Sequence, residues 1–148
     1  MNEGSLSKPS IRRATESDGS RLEEIERSCF EDCPWDAASI LHHECWVAEI
    51  DGIIAGFMVA RQLVSGNADL AGEREILNLA VAPAWRRRGI GLALLNHELT
   101  SAAIRFLEVR ETNAAARSLY ARVGFEEIGK RTDYYQNPVE SAIVMKRK

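Results

Sequence analysis

Three consecutive arginines, Arg86, Arg87 and Arg88, stand directly before Gly89-Ile90-Gly91. The first backbone N–H groups of a helix have no partner inside it, and the helix dipole adds partial positive charge there. Glycine at 89 and 91 removes the Cβ atoms that would hold a ligand away from those groups. With three full charges alongside, the turn reads as a site for phosphate, and for a pyrophosphate in particular. It is neither Gly-x-Gly-x-x-Gly nor a loop closed by Gly-Lys-Ser/Thr. On these positions alone, an ordinary basic strand-to-helix turn stays open.

Two elements must position this turn. Ile76 to Val81 is short, apolar and bounded, which predicts a mostly buried strand, and Pro83 stops it. From Ile90 onward, Leu92, Leu95 and Leu99 recur at helical spacing.

The rest of the chain sets bounds. At 148 residues it is long enough for one domain with its own core, and its 45% apolar and 28% charged residues suit an ordinary globular protein. A net charge of -3 gives no general reason to expect nucleic-acid binding; positive charge is local, at Arg86–Arg88 and Lys146–Lys148. No apolar run approaches the roughly 18–20 residues that cross a bilayer. Met1 to Ser10 lacks a signal-peptide core, so a cytoplasmic protein without membrane partners is expected. Cys29, Cys33 and Cys45 are odd in number, which argues against a disulfide framework. Cys29 and Cys33 with His42 and Cys45 make up a conceivable ligand set. Against it, Cys29 and Cys45 are read as lying on buried helix faces, where cysteine packs as a small apolar residue. No metal is expected.

In chain order, residues 1–9 are polar and read as a flexible N-terminus, followed by one domain over 10–148. Ser10 to Ala14 predicts a strand, and Thr15-x-x-Asp18 a capping box before a helix with Leu22, Ile25 and Cys29 on one face. Asp36 caps a short helix carrying Ile40 and Leu41. Asp51-Gly52 predicts a hairpin between Trp46–Ile50 and Ile53–Leu63. Val64 to Arg74 reads as a long turn. Ile104 to Arg110 predicts a second buried strand, and Asn113 caps a helix with Ala116, Leu119, Tyr120 and Val123 on one face, ended by Gly124. Two strands, roughly 126–131 and 142–146, finish a mixed α/β sheet.

Arg86-x-x-Gly89-x-Gly91 resembles the acetyl-coenzyme A signature of the GNAT acetyltransferase superfamily. Leu107-Glu108-Val109-Arg110, then Asn113-Ala114-Ala115-Ala116 and Leu119-Tyr120, resemble one branch of it, the ribosomal-protein-alanine N-acetyltransferases. Cys29-Phe30, Pro34-Trp35, Asp133-Tyr134-Tyr135 and Glu140 to Met145 agree in order, so the resemblance runs from about Ile11 to the end. It implies a GNAT fold, with a mixed, mostly antiparallel sheet and about four helices. It also implies direct transfer from acetyl-CoA, as cosubstrate, to the N-terminal amine of a protein, most often of a small-subunit ribosomal protein. Leu79, Ala80 and Val81 match the strand that contacts the pantetheine and thioester. Arg87, Arg88, Gly89, Ile90, Gly91 and Leu92, with Arg86 before them, match the pyrophosphate loop. Asn113 matches a further coenzyme contact, Glu108 the catalytic base and Tyr120 the general acid.

The chemistry of these residues is consistent with those roles. An amine attacks a thioester only when neutral, so a base must take a proton. A backbone N–H can hold the resulting oxyanion, and a phenol can give the leaving thiolate its proton. On the residues alone, Glu108 is equally a solvated strand residue, Tyr120 equally a packing residue, and Glu111 a substitute base. At pH 7, deprotonating an α-amine costs roughly 1 kcal/mol and a lysine roughly 4–5 kcal/mol, which favours an N-terminus. A GNAT acting on lysine or a small amine, and a non-catalytic acyl-CoA-binding module, are the alternatives.

The chain departs from the family twice. The connection from Gly91 to Glu108 reads as about five residues shorter than the family's helix and loop, leaving only Ser101–Ala103 as a joint, while Val64–Arg74 reads as several residues longer than the usual hairpin turn.

Overall fold

The computed structural model describes residues 8–30, 34–67, 71–136 and 138–148. The elements are β1 (Ser10–Arg13), α1 (Gly19–Cys29), α2 (Ala37–Leu41), β2 (Glu44–Ile50), β3 (Ile53–Val64), β4 (Glu73–Val81), α3 (Ile90–Glu98), β5 (Ile104–Arg110), α4 (Ala114–Arg122), β6 (Glu126–Tyr135) and β7 (Glu140–Arg147). Seven strands form one sheet in the order β1-β2-β3-β4-β5-β7-β6. β1 and β2, β5 and β7, and β6 and β7 pair antiparallel. β4 and β5 are parallel from Glu73↔Ile104 to Ile76↔Leu107, as a helical crossover through α3 requires. This is the mixed, mostly antiparallel sheet with four helices that the sequence led one to expect. Among the described residues no helix is long and apolar enough to cross a membrane. The flexible start expected for residues 1–9 falls mainly on 1–7, which lie outside the described residues.

Contacts gather into two compact units, Met1–Met58 with Leu79–His97, and Val59–Asn78 with Glu98–Lys148. In the first, Asp51 and Gly52 both take positive φ (50° and 80°), the geometry of a two-residue hairpin turn between β2 and β3. Ahead of α1, the Asp18 carboxylate accepts from the Thr15 N–H at 2.7 Å and from both Arg12 Nη atoms at 2.9 and 3.0 Å. Glu16–Asp18 forms a 3₁₀ turn, so the helix proper begins at Gly19, one turn after the capping residue. Asp36 caps α2 by accepting from the Ser39 N–H at 2.8 Å. The core of this unit is Leu22, Ile25, Ile40, Val47, Ala48, Phe57, Leu94 and Leu95.

The second unit holds β5, β6, β7 and α4. Arg105 Nε donates to Glu98 Oε2 at 3.0 Å, Nη1 to the carbonyls of Ser101 and Ala103 at 2.7 and 2.8 Å, and Nη2 to the Glu98 carbonyl and the Ser101 hydroxyl. All the donors of the guanidinium are used, which is what lets a side chain with 0% exposure keep its charge. Arg74 Nε reaches the same Glu98 oxygen at 2.7 Å.

Several expectations need correction. β4 begins at Glu73, three residues before Ile76, because Arg74 and Glu75 pair with β5; of its residues only Ile76 and Ala80 are buried. The buried stripe of α3 is Ile90, Gly91, Leu94, Leu95 and Glu98, with Leu92 and Leu99 only half-buried. The joint after α3 is five residues, 99–103, because the helix stops at the Glu98 that Arg105 holds. β5 is buried on one face only: Arg105, Leu107 and Val109 point in, while Phe106, Glu108 and Arg110 alternate with them, half-exposed. Cys45 sits in β2, not in a helix, and Cys29 is half-buried at the end of α1. β6 and β7 both run longer than expected, since cross-strand pairing extends past the apolar residues.

Two tests follow from these contacts. Arg105→Met leaves the carbonyls at 98, 101 and 103 without their donor and should destabilise the fold by about 3 kcal/mol or more, a fall in Tm of about 10 °C. Arg105→Lys should recover little of that, since an ammonium cannot reproduce the fork. The Arg12 hydrogen bond first, then the Thr15 N–H, hold Asp18 down to about 2 from its usual 3.8, against the opposing effect of burial. A depressed carboxyl stabilises the fold fully above about pH 4 and loses that contribution as pH falls through 2. Denaturant titrations across that window should show the wild type losing about 2 kcal/mol more than Asp18→Asn.

Candidate active site

The arginine–glycine turn lies in the first unit. Ala82 N–H donates to the Ala55 carbonyl at 2.8 Å, which brings β3 against the end of β4. Gly56 of β3 faces this approach, and a Cβ on it would stand 2.8 Å from the Ala80 carbonyl, 3.0 Å from Ile90 Cγ2 and 3.3 Å from Val81 Cα. A bare backbone is therefore needed for Leu79, Ala80 and Val81 to lead into the turn as they do. Pro83–Trp85 makes one 3₁₀ turn, Arg87 and Gly89 take positive φ (64° and 76°), and the Ala93 N–H closes on the Gly89 carbonyl at 2.9 Å. Gly89 thus caps α3, and the N–H groups of Ile90, Gly91 and Leu92 have no acceptor in their own helix. A Cβ at Gly89 would meet nothing within 4 Å, so the space before it is open.

The three arginines are used differently. Arg86 turns back, Nε to the Val81 carbonyl at 3.4 Å and Nη2 to Cys29 Sγ at 3.5 Å. Cys29 Sγ itself donates to the Val81 carbonyl at 3.3 Å. Arg88 lies over the Trp85 ring at 4.9 Å, a cation–π contact that holds its charge beside the turn. Arg87 makes no ion pair among the described residues. Arg86, Arg87, Arg88 and Gly89 are all exposed. The arrangement suits a polyanion.

The carboxylate and the phenol lie in the second unit. Glu108, on the half-exposed face of β5, pairs through Oε1 with Arg131 Nε at 3.0 Å. The Tyr134 hydroxyl hydrogen-bonds to it as well, which raises the Tyr134 phenol above its usual range. Tyr120 is buried in α4, edge-on to Phe125 at 5.7 Å, and burial, with Tyr135 second, raises its phenol further. Tyr120 therefore stays protonated throughout the neutral range. Tyr135 is pushed up to about 12 by burial and then by the Glu108 charge, with Arg110 over its ring at 4.5 Å. Asn113 Oδ1 accepts from the Ala116 N–H at 3.1 Å, so it caps α4 as expected. Glu111, the substitute base, is paired with Lys130 at 2.7 Å.

Sequence reasoning missed Gly56, Trp85 and Arg131. A glycine inside a strand signals close backbone approach, so Gly56 was legible in principle. Arg131 was not, because its contact crosses an intervening strand. Cys33 lies outside the described residues, and among the described residues no group of three or more His, Cys, Asp or Glu could hold a metal. Burial pushes the Cys45 thiol up to about 12, which suits packing.

A family model for the acetyltransferase (GNAT) domain matches residues 41–127. The N-alpha-acetyltransferase RimI of Mycobacterium tuberculosis is 33% identical over 93% of this chain and 90% of its own. A ribosomal protein bS18-alanine N-acetyltransferase of Haemophilus ducreyi is 32% identical over 91% and 97%. The crystal structure of the ribosomal-protein-S18-alanine N-acetyltransferase from Escherichia coli superposes with a TM-score of 0.78 at 29% identity, covering 94% of this chain and 92% of that one.

Gly56→Ala provides the test of this strand geometry. The added methyl must push the Ala80 carbonyl or Ile90 aside, and overpacking of this kind costs about 1–3 kcal/mol. Calorimetric titration should find coenzyme A bound about 10-fold more weakly, with the far-ultraviolet dichroism of the fold retained.

Proposed function

The chain belongs to the GNAT acetyltransferase family and is an acetyl-CoA-dependent N-acetyltransferase, and from that premise we propose that its acceptor is the N-terminal α-amine of a protein, with an alanine-ended small-subunit ribosomal protein as the leading candidate. The observation that carries the coenzyme part is the Gly89-capped start of α3, with the exposed Arg87, Arg88 and Gly89 directly before it. The chain-long similarity to relatives named for N-terminal acetylation supports the acceptor.

In this reading the pyrophosphate takes the N–H groups of Ile90, Gly91 and Leu92 and the charges of Arg87 and Arg88. Arg86, turned to Val81, holds the strand end instead of the ligand. Leu79, Ala80 and Val81 offer backbone groups to the pantetheine and to the oxyanion, and Asn113 adds a coenzyme contact.

The acceptor arrives as an ammonium. Glu108 takes one proton, and the neutral amine attacks the thioester carbon, forming the C–N bond. Collapse of the tetrahedral intermediate breaks the C–S bond and releases the second amine proton, which goes to the departing sulfur. Net, the amide and CoA thiol form and one proton reaches solvent. Thiols ionise near 8.5, well below the Tyr120 phenol, so Tyr120 acts by donating a hydrogen bond to the developing thiolate. The raised phenol keeps that donor in place at any working pH.

The test follows acetyl mass gain and thiol release on a peptide with a free N-terminal alanine, beside an N-blocked lysine peptide. The α-amine should be acetylated and the lysine barely so. Glu108→Gln and Tyr120→Phe should each lower kcat/KM for the peptide by about 100-fold or more, with coenzyme affinity kept. Preferred transfer to the blocked lysine peptide would overturn the acceptor assignment. Undiminished rates in both variants would overturn the roles of the two side chains.

A further inference from the structure

The pairing of Glu108 with Arg131 is specific to the way three strands of the second unit line up. Glu108 stands opposite Val144 on β7, and Arg131 on β6 stands opposite Ala142. Val144 and Ala142 are two apart on one strand, so Glu108 and Arg131 share a face. The methyl of Ala142 leaves the long arginine free to cross β7 and reach the carboxylate.

The partners are unequal. The Glu108 side chain is 17% exposed and set in the middle of the second unit's strands, while Arg131 is 59% exposed on the edge strand. The guanidinium also has another seat, the Tyr134 ring, 5.6 Å from its central carbon. The remaining cations near this face are engaged elsewhere. Arg61 pairs with Glu75 at 2.7 Å, Lys130 with Glu111, Arg110 with Glu140 and the Tyr135 ring, and Lys146 lies over Phe106. Arg131 is the cation that holds Glu108, and Tyr134 the hydroxyl that shares it.

We propose that Arg131 is a built-in competitor for the acceptor's ammonium, occupying Glu108 in the free enzyme and giving way when a cationic amine binds, so that it sets acceptor affinity. The proposal rests on the reading of Glu108 as the base. With its guanidinium 59% exposed, Arg131 gains little net free energy from the pair, so exchanging it for another cation on the same carboxylate is easy. The exchange keeps Glu108 paired in both states. Once the carboxylate has taken its proton, the amide product carries no charge with which to hold the position. When that proton leaves to solvent, the guanidinium returns from the Tyr134 ring and restores the carboxylate for the next acceptor. Arg131 is thus a positioning residue that favours cationic acceptors and early release of neutral product.

Steady-state kinetics of Arg131→Gln and Arg131→Lys, with Glu108→Gln alongside, provide the test. Arg131→Gln should lower the acceptor KM about 3- to 10-fold, with the change carried by KM and not by kcat. Arg131→Lys, which restores a cation, should bring KM back toward the wild type. Thermal melts report whether each variant is folded, and at an exposed edge position the melts should hold. An acceptor KM that stays the same or rises in folded Arg131→Gln overturns the competitor role. If Glu108→Gln loses kcat while Arg131→Gln leaves KM unmoved, the competitor role alone has failed. If Glu108→Gln keeps kcat, the base assignment has failed and takes this proposal with it.

Discussion

Arg105 is charged, fully buried and satisfied at every donor, and much of the second unit is arranged so that this can be true. Its partners are the carboxylate and carbonyl of Glu98 and the carbonyls and hydroxyl of the joint that follows α3. The contacts to the Glu98 and Ala103 carbonyls are buried, and a buried carbonyl left unmet costs more than a made hydrogen bond contributes. One planar fork meets these needs together. It closes the connection from the helix to β5 and fixes where β5 begins.

Fixing the start of β5 also fixes its alternation. If Arg105 points inward, Leu107 and Val109 must follow it, and Phe106, Glu108 and Arg110 must face the other way. A slip by one residue would bury Glu108 and expose Arg105, exchanging a satisfied charge for an unsatisfied one. The structural arginine and the proposed base thus lie on opposite faces of one strand, each excluding the wrong register for the other. The pairing with β7 extends the same order to Arg131 and Tyr135 on β6.

What the sequence made legible was local. Asp51-Gly52, the Asn113 and Asp36 caps, Gly89 and Gly124 each act over a few residues through φ or a single hydrogen bond, and each stands where expected. The misreadings came where the outcome depends on a distant strand. Glu73 to Glu75 look like turn residues, yet pairing with Ile104 to Phe106 makes them strand. β6 is exposed at every residue from Glu126 to Tyr134, so apolar alternation could not mark its length; its partner β7 does. Arg105 sits in an apolar run where nothing distinguishes a buried arginine from one turned to solvent. The Glu108–Arg131 pair requires a register across three strands, which no spacing along the chain encodes.

The turn after β3 and the short joint before β5 meet at the same groups. Gly72, at φ 83°, ends the turn, and a Cβ there would come within 2.8 Å of the Val64 carbonyl and 2.6 Å of the Gly66 nitrogen. Its own carbonyl accepts from the Ile104 N–H at 3.0 Å, at the first residue of β5. Two residues on, Arg74 shares the Glu98 carboxylate with Arg105 and reaches Gln62 at 3.2 Å on β3. The end of the turn thus supplies an acceptor for the first N–H of β5, and the start of β4 supplies a second cation for Glu98. The two connections are thus tied together twice, through the Gly72 carbonyl and through the Glu98 carboxylate that Arg74 and Arg105 share.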